Sequence, residues 1–215
     1  MRDVVFYFDY ISPFAYLASQ SLARLDGLAR VTFRPLLFAG LLAHWETRGP
    51  AEIVPMRRFT YRHIRWLAGR HGIPLQFPPA HPFNPLPLLR LTLACGSAAA
   101  VVDRLFRFVW AEGRSSEDAA AFAALCAELG VDAVALADPA LKLELRRNGE
   151  QALAAGVFGV PAYVVDGELF WGFDALDFLA DYLRDPGLLE SPGMRAADAL
   201  PVGRARVPFG GAEPG

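Results

Sequence analysis

Residues 4–25, VVFYFDYISPFAYLASQSLARL, decide the fold. Val4-Val5-Phe6-Tyr7-Phe8 is a β-branched and aromatic run that suits a pleated strand, and behind it Phe14, Leu17, Ala18, Ser21, Leu22 and Leu25 recur at helical spacing. Asp9-Tyr10-Ile11-Ser12-Pro13 joins the two. Ser12 followed by Pro13 is a helix opening: serine accepts an orphan amide hydrogen bond as N-cap, and proline at the first helical position loses no needed donor. The helix is expected to end near Gly27. Val31-Thr32-Phe33-Arg34-Pro35-Leu36 then reads as a second strand, and a strand, helix, strand crossover makes the two strands parallel.

Strand signals resume only late in the chain. Ala162-Tyr163-Val164-Val165, the turn Asp166-Gly167 and Glu168-Leu169-Phe170-Trp171 form a hairpin pattern closed by Gly172. A final helix is expected from about Asp174 to Leu183, with Leu176, Leu179, Ala180 and Leu183 as its inward stripe. Between the two strand groups lie a helix near Arg57–His71, a proline-dense loop from Pro74 to Pro87, and three helical patterns ending near Gly156. The division that follows is an α/β domain from residues 1–36 and 157–186, a large all-helical insertion over 37–156, and a Pro/Gly-rich tail, loosely ordered or draped on the surface, over 187–215.

Composition excludes several classes. The net charge of −2 with interspersed signs gives no reason to expect nucleic acid or anionic lipid as a partner. The 53% hydrophobic content is largely scattered alanine rather than an apolar run of membrane length. Asp3, Asp9 and Pro13 interrupt the apolar start, and no small-residue cleavage site follows a basic leader, so a cytoplasmic protein is expected. Cys95 and Cys126 sit far apart in alanine- and leucine-rich helical patterns, where a thiol packs as a small apolar group. Neither belongs to a CxxC pair, and His44, His63, His71 and His81 are not at zinc-ligand spacing.

Three short constellations carry candidate chemistry. Ser12 at a helix start either caps the helix or stabilises an anion there, its hydroxyl donating beside the first amides. Val160-Pro161 directly before a strand is either an ordinary trans proline at a strand start or a cis bond that turns the Val160 backbone toward a ligand for strand-like pairing. Asp174, after Trp171-Gly172-Phe173, is either a capping carboxylate or an acceptor for a ligand's ammonium group. Arg58 and Arg62, four residues apart on one helix, either hold a substrate carboxylate or are solvated. Asn84 and His81, in the proline-dense loop, are further candidates for a substrate contact.

In this order, with FYFDYISPFAYLA at the start, HGIPLQFPPAHPFNPLPLLR in the middle and VFGVPAYVVDGELFWGFDALDFL near the end, the chain resembles the 2-hydroxychromene-2-carboxylate isomerases, bacterial relatives of kappa-class glutathione transferases. The resemblance implies a thioredoxin-like fold with a helical insertion, commonly in a homodimer. It places the chain in a serine-bearing branch, because disulfide oxidoreductases of this architecture carry a CxxC pair in the region where Tyr10-Ile11-Ser12-Pro13 stands. It implies that glutathione binds with its sulfur at Ser12, its backbone at Val160 before cis-Pro161, and its γ-glutamyl end at Phe173 and Asp174.

The implied reaction opens a cyclic chromene hemiketal carboxylate to a trans-benzylidenepyruvate, a step in breakdown of naphthalene-like aromatics. A glutathione transferase or peroxidase using the same site is the nearest alternative; a non-catalytic thioredoxin-like protein that binds glutathione or a peptide strand is the alternative from another class. The chain departs from the family pattern at Phe173, which offers only its backbone N–H, at Glu46-Thr47-Arg48-Gly49-Pro50, where Gly-Asn commonly precedes proline, and at Met56, where a lysine often stands.

Overall fold

The computed structural model describes residues 1–203. The expected strand at the N-terminus is β1 (Arg2–Phe8), and Val5 and Tyr7 alternate with Val4, Phe6 and Phe8 across its two faces. Both sets meet apolar partners, so the strand is central. The sheet order is β2-β1-β3-β4, with β2 (Ala29–Pro35) parallel to β1 and the hairpin β3 (Ala162–Val165) and β4 (Glu168–Trp171) antiparallel. Asp166 and Gly167 at the hairpin tip have φ of 53° and 87°, the left-handed pair that a two-residue turn between twisted strands demands.

Helix α1 (Pro13–Ser19) connects β1 to β2 and is shorter than its periodicity suggests. Ser19 Oγ donates back to Tyr16 O at 2.8 Å, a local bond that competes with helix continuation, and the chain passes through a 3₁₀ turn at Leu22–Leu25 before Gly27 at φ 76°. The middle of the chain holds α2 (Phe38–His44), α3 (Val54–Arg70), α4 (Leu86–Ala94), α5 (Ala99–Trp110), α6 (Ala119–Glu128) and α7 (Pro139–Ala154). Four helices rather than three therefore follow the proline-dense loop, because Asp118 and Asp138 each cap a new helix start inside what reads as continuous alanine-rich pattern.

The chain is thus a thioredoxin-like α/β fold carrying a helical insertion. Helices α2 and α7 lie over one face of the sheet with Tyr7, Leu36, Leu41, Ala152 and Val157 buried there. On the other face Phe6 stacks on Phe8 and Tyr163, and Phe8, Tyr10 and Tyr16 converge on Phe106 of α5. One insertion helix is thereby built into the main core. The last helix, α8 (Ala175–Arg184), buries Leu176, Leu179, Ala180 and Tyr182.

The tail is more regular than composition suggests: a 3₁₀ turn at Pro186–Glu190 leads to α9 (Pro192–Asp198), started by prolines and tied to α8 through the turn. Residues 204–215 of the expected tail lie outside the described residues. Among the described residues no helix is long and apolar enough to cross a membrane.

Phe106 is fully buried against the rings of Phe8, Tyr10 and Tyr16, at centroid distances of 5.5, 4.6 and 6.3 Å. Phe106→Ala is expected to lower the unfolding free energy by about 3–5 kcal/mol, read as an earlier urea midpoint. A midpoint equal to that of the parent chain would contradict this account of the core.

Candidate active site

The site begins where β1 stops. Asp9, fully buried, accepts hydrogen bonds from Ile11 N through Oδ1 (3.1 Å) and from Phe38 N, at the start of α2, through Oδ2 (2.8 Å). Its own carbonyl accepts the Ser12 N–H at 3.1 Å. The loop is pinned from the insertion as well: Trp110 Nε1 donates to Tyr10 O at 2.8 Å, and His81 Nε2 lies 2.8 Å from Ile11 O. Tyr10 itself is locked by its hydroxyl against Thr92 Oγ1 at 2.7 Å.

Ser12 stands at the end of this fixed loop as the N-cap of α1, 8% exposed. Its Oγ accepts from Ala15 N at 3.2 Å and donates to Val160 O, also at 3.2 Å. The capping reading and the site reading are therefore not exclusive. Pro13 has no N–H and the Ala15 and Tyr16 N–H groups are already taken, so this helix start presents the Ser12 hydroxyl and the Phe14 N–H rather than a crown of free amides.

The Val160–Pro161 peptide bond is cis, and Pro161 O accepts the Gly172 N–H at 2.9 Å. That bond draws the 172–174 segment beside the proline loop. Gly172 has φ 102°, and a Cβ there would lie 2.5 Å from Asp174 Oδ1, so the turn into α8 needs glycine. Phe173 is buried, its ring 5.1 Å from that of His71 with the Arg24 guanidinium at 5.9 Å, and Asp174 occupies the N-cap position of α8 with its exposed carboxylate making no capping bond. Ser12, Val160, Pro161 and the Gly172–Asp174 turn thus form one hydrogen-bonded chain of contacts.

The remaining sequence candidates are placed elsewhere. Arg58 and Arg62 are exposed on α3; Arg62 lines an open depression with Tyr61, Arg65, Trp66 and Phe77, whereas Arg58 is not part of that lining. Asn84 accepts the Leu86 N–H through Oδ1 at 3.1 Å, bracing the start of α4, while its carbonyl receives Ser116 Oγ at 3.4 Å. Burial pushes the Cys95 and Cys126 thiols up, so neither is an activated nucleophile. Among the described residues no group of His, Cys, Asp and Glu is arranged to hold a metal ion.

Sequence reasoning missed Tyr61 and Trp110 and gave Asp9 no role. Tyr61 Oη lies 2.7 Å from His81 Nδ1, so it reaches the Ser12 loop through one imidazole. A tryptophan inside an apolar helix does signal a need for a hydrogen-bond acceptor, but not which one.

Comparison with known proteins agrees with this architecture. Residues 3–184 match the model of the DSBA-like thioredoxin domain. A 2-hydroxychromene-2-carboxylate isomerase from Sphingobium xenophagum is 33% identical over 196 residues, covering 86% of this chain and 99% of the relative. Glutathione S-transferase kappa 2 from Caenorhabditis elegans is 26% identical over 209 residues, with 86% and 93% covered. A solved 2-hydroxychromene-2-carboxylate isomerase superposes with a TM-score of 0.73 at 26% identity, covering 93% of this chain and all 100% of that one.

Burial pushes the Asp9 carboxyl up to about 7, against the pull of the Phe38, Ile11 and Tyr10 amides. A carboxyl raised in the folded state binds its proton more tightly than the unfolded chain does. Its stabilising contribution is complete below about pH 4 and is lost as pH rises through about 7. Asp9→Asn is expected to flatten the fall of stability across that window, measured by urea unfolding at stepped pH; an unchanged slope would assign it to other groups.

Proposed function

The chain belongs to the DsbA-like thioredoxin family and, within it, to the 2-hydroxychromene-2-carboxylate isomerases, and on that footing we propose that it is a glutathione-dependent isomerase acting on an aromatic carboxylate of the hydroxychromene type. The observation that carries the glutathione reading is the bond from Ser12 Oγ to Val160 O, which sets a donor hydroxyl beside the backbone group that a tripeptide would pair with.

The donor set fits a thiol tripeptide. Val160 would supply backbone groups to a cysteinyl residue, Pro161 would stand beside its sulfur, the Phe173 N–H would donate to the γ-glutamyl carboxylate, and the Asp174 carboxylate, which makes no capping bond, would accept from its ammonium group. The chemistry that glutathione would supply there is a thiolate able to add reversibly to a conjugated double bond, which would make that bond single and free to rotate until elimination restores it. Ser12 has the central part. In the free protein its hydroxyl donates to Val160 O; with a ligand N–H on that carbonyl, the hydroxyl would be free to donate to the sulfur instead. A hydroxyl hydrogen bond of this kind, in a buried site, is the means of lowering the thiol pKa by roughly one to three units. A cysteine at the same place would exchange into a mixed disulfide, which serine cannot do.

The substrate side has a weaker anchor in the depression lined by Tyr61, Arg62, Arg65, Trp66 and Phe77, where aromatic faces and guanidinium groups suit an aromatic carboxylate. Tyr61 belongs to both this depression and the His81 contact, which connects it to the Ser12 loop. Arg62 is therefore favoured over Arg58 and Asn84 as the substrate contact.

With a chromene carboxylate as substrate, product formation is expected to require glutathione while total thiol, titrated before and after, stays constant. Consumption of thiol in proportion to product would instead make the protein a conjugating transferase, and binding without turnover a carrier. Ser12→Ala is expected to keep the fold and to lower turnover by on the order of tenfold to a thousandfold. Near-parental turnover in that variant would remove Ser12 from the mechanism.

A further inference from the structure

The two peptide planes that precede Ser12 are each hydrogen-bonded at both ends. In the Tyr10–Ile11 plane the carbonyl accepts from Trp110 Nε1 at 2.8 Å and the N–H donates to Asp9 Oδ1 at 3.1 Å. In the Ile11–Ser12 plane the N–H donates to Asp9 O at 3.1 Å and the carbonyl is met by His81 Nε2 at 2.8 Å. The second plane sets the direction in which Ser12 leaves the loop, and with it the hydroxyl.

We propose that His81, held as its Nε2–H tautomer by Tyr61, is a positioning residue that fixes the Ile11–Ser12 peptide and so aims the Ser12 hydroxyl. This rests on the reading of Ser12 as the hydrogen-bond donor to a bound thiolate.

The tautomer follows from the partners. A carbonyl oxygen only accepts, so Nε2 carries the hydrogen in the bond to Ile11 O. In the neutral ring Nδ1 is then the acceptor, and the Tyr61 hydroxyl, 2.7 Å away, is its donor. The same hydroxyl lies 3.1 Å from His81 O, but its one hydrogen goes to the shorter contact at Nδ1, leaving the carbonyl with only the outer share of that hydrogen. Burial lowers the imidazole pKa and favours the neutral ring. The rings of Tyr61, Phe83 and Trp110, at 5.5, 6.0 and 5.5 Å, leave the imidazole little room to turn. An imidazole used only as core filling would not require a defined proton position; this one does, because its two nitrogens face an obligate acceptor and a hydroxyl.

The test uses the full chain and three variants. In His81→Leu the donor to Ile11 is gone; in His81→Gln a side-chain amide N–H can replace Nε2–H; in Tyr61→Phe the donor to Nδ1 is gone. Nitrogen NMR of the histidine rings in the ligand-free protein is expected to show His81 as the Nε2–H tautomer, and the Ser12 amide resonance to shift in His81→Leu and return in His81→Gln. With glutathione bound, ultraviolet thiolate absorbance is expected to titrate at higher pH in His81→Leu, and kcat to fall about 10–100-fold with KM for the aromatic substrate little changed, both recovering in His81→Gln. Tyr61→Phe is expected to raise the fraction of the other tautomer.

An Nδ1–H ring in the parent chain, or a His81→Leu protein with an unmoved Ser12 amide, would overturn the proposal. The same holds for equal losses in His81→Leu and His81→Gln, which would reduce the ring to packing. If the parent chain neither binds glutathione nor isomerises, it is the functional reading that fails, and the tautomer and amide measurements still decide the positioning.

Discussion

The contact on which the structure's chemistry depends is the hydrogen bond from the Ser12 hydroxyl to the Val160 carbonyl, between residues 148 positions apart. It joins the turn after β1 to the loop before β3, and so closes the two halves of a split sheet against each other. Strand pairing brings the halves close, with Tyr7 opposite Ala162 in the β1–β3 register. The hydroxyl bond then fixes what faces what at the end of those strands. A serine that only capped α1 would need no second partner; this one makes the capping bond and the cross-sheet bond with the same oxygen.

A turn that presents a reactive group cannot be left to the short helix behind it, since α1 has 7 residues and its first position is proline. The insertion supplies what the turn lacks. Phe38 N at the start of α2, Trp110 at the end of α5 and His81 in the proline-dense loop all reach Asp9, Tyr10 or Ile11. The Trp110 bond is buried and the other two are part-buried, and a buried carbonyl left unpaired costs roughly 1–3 kcal/mol. The insertion is in this sense a support for the turn, and Phe106 roots it in the aromatic core beneath.

Much of the frame was legible in the sequence because local rules wrote it. Ser12-Pro13 declared a helix start, Asp166-Gly167 a tight hairpin, and Val4–Phe8 a strand. That the Ser12, Val160–Pro161 and Phe173–Asp174 segments belong together was also legible, though only in combination, since a capping serine, a strand-initiating proline and an N-terminal aspartate are each common. What stayed hidden was non-local. Nothing in the spacing of Tyr61, His81 and Trp110 says that they converge on two consecutive carbonyls, and the exposure of Arg58 beside Arg62 depends on how α3 is rotated against its neighbours. The length of α1 was lost to a single Ser19 back-bond, and the division of the alanine-rich stretch into α6 and α7 to two capping aspartates.

The central claim is that Ser12 exchanges its hydrogen bond from the Val160 carbonyl to a thiolate when glutathione binds. A crystal structure of the complex at a resolution that shows the sulfur tests it most directly. The sulfur is expected within about 3.5 Å of Ser12 Oγ, with a ligand backbone N–H on Val160 O. Sulfur bound away from Ser12, with the hydroxyl still directed at Val160, would contradict it.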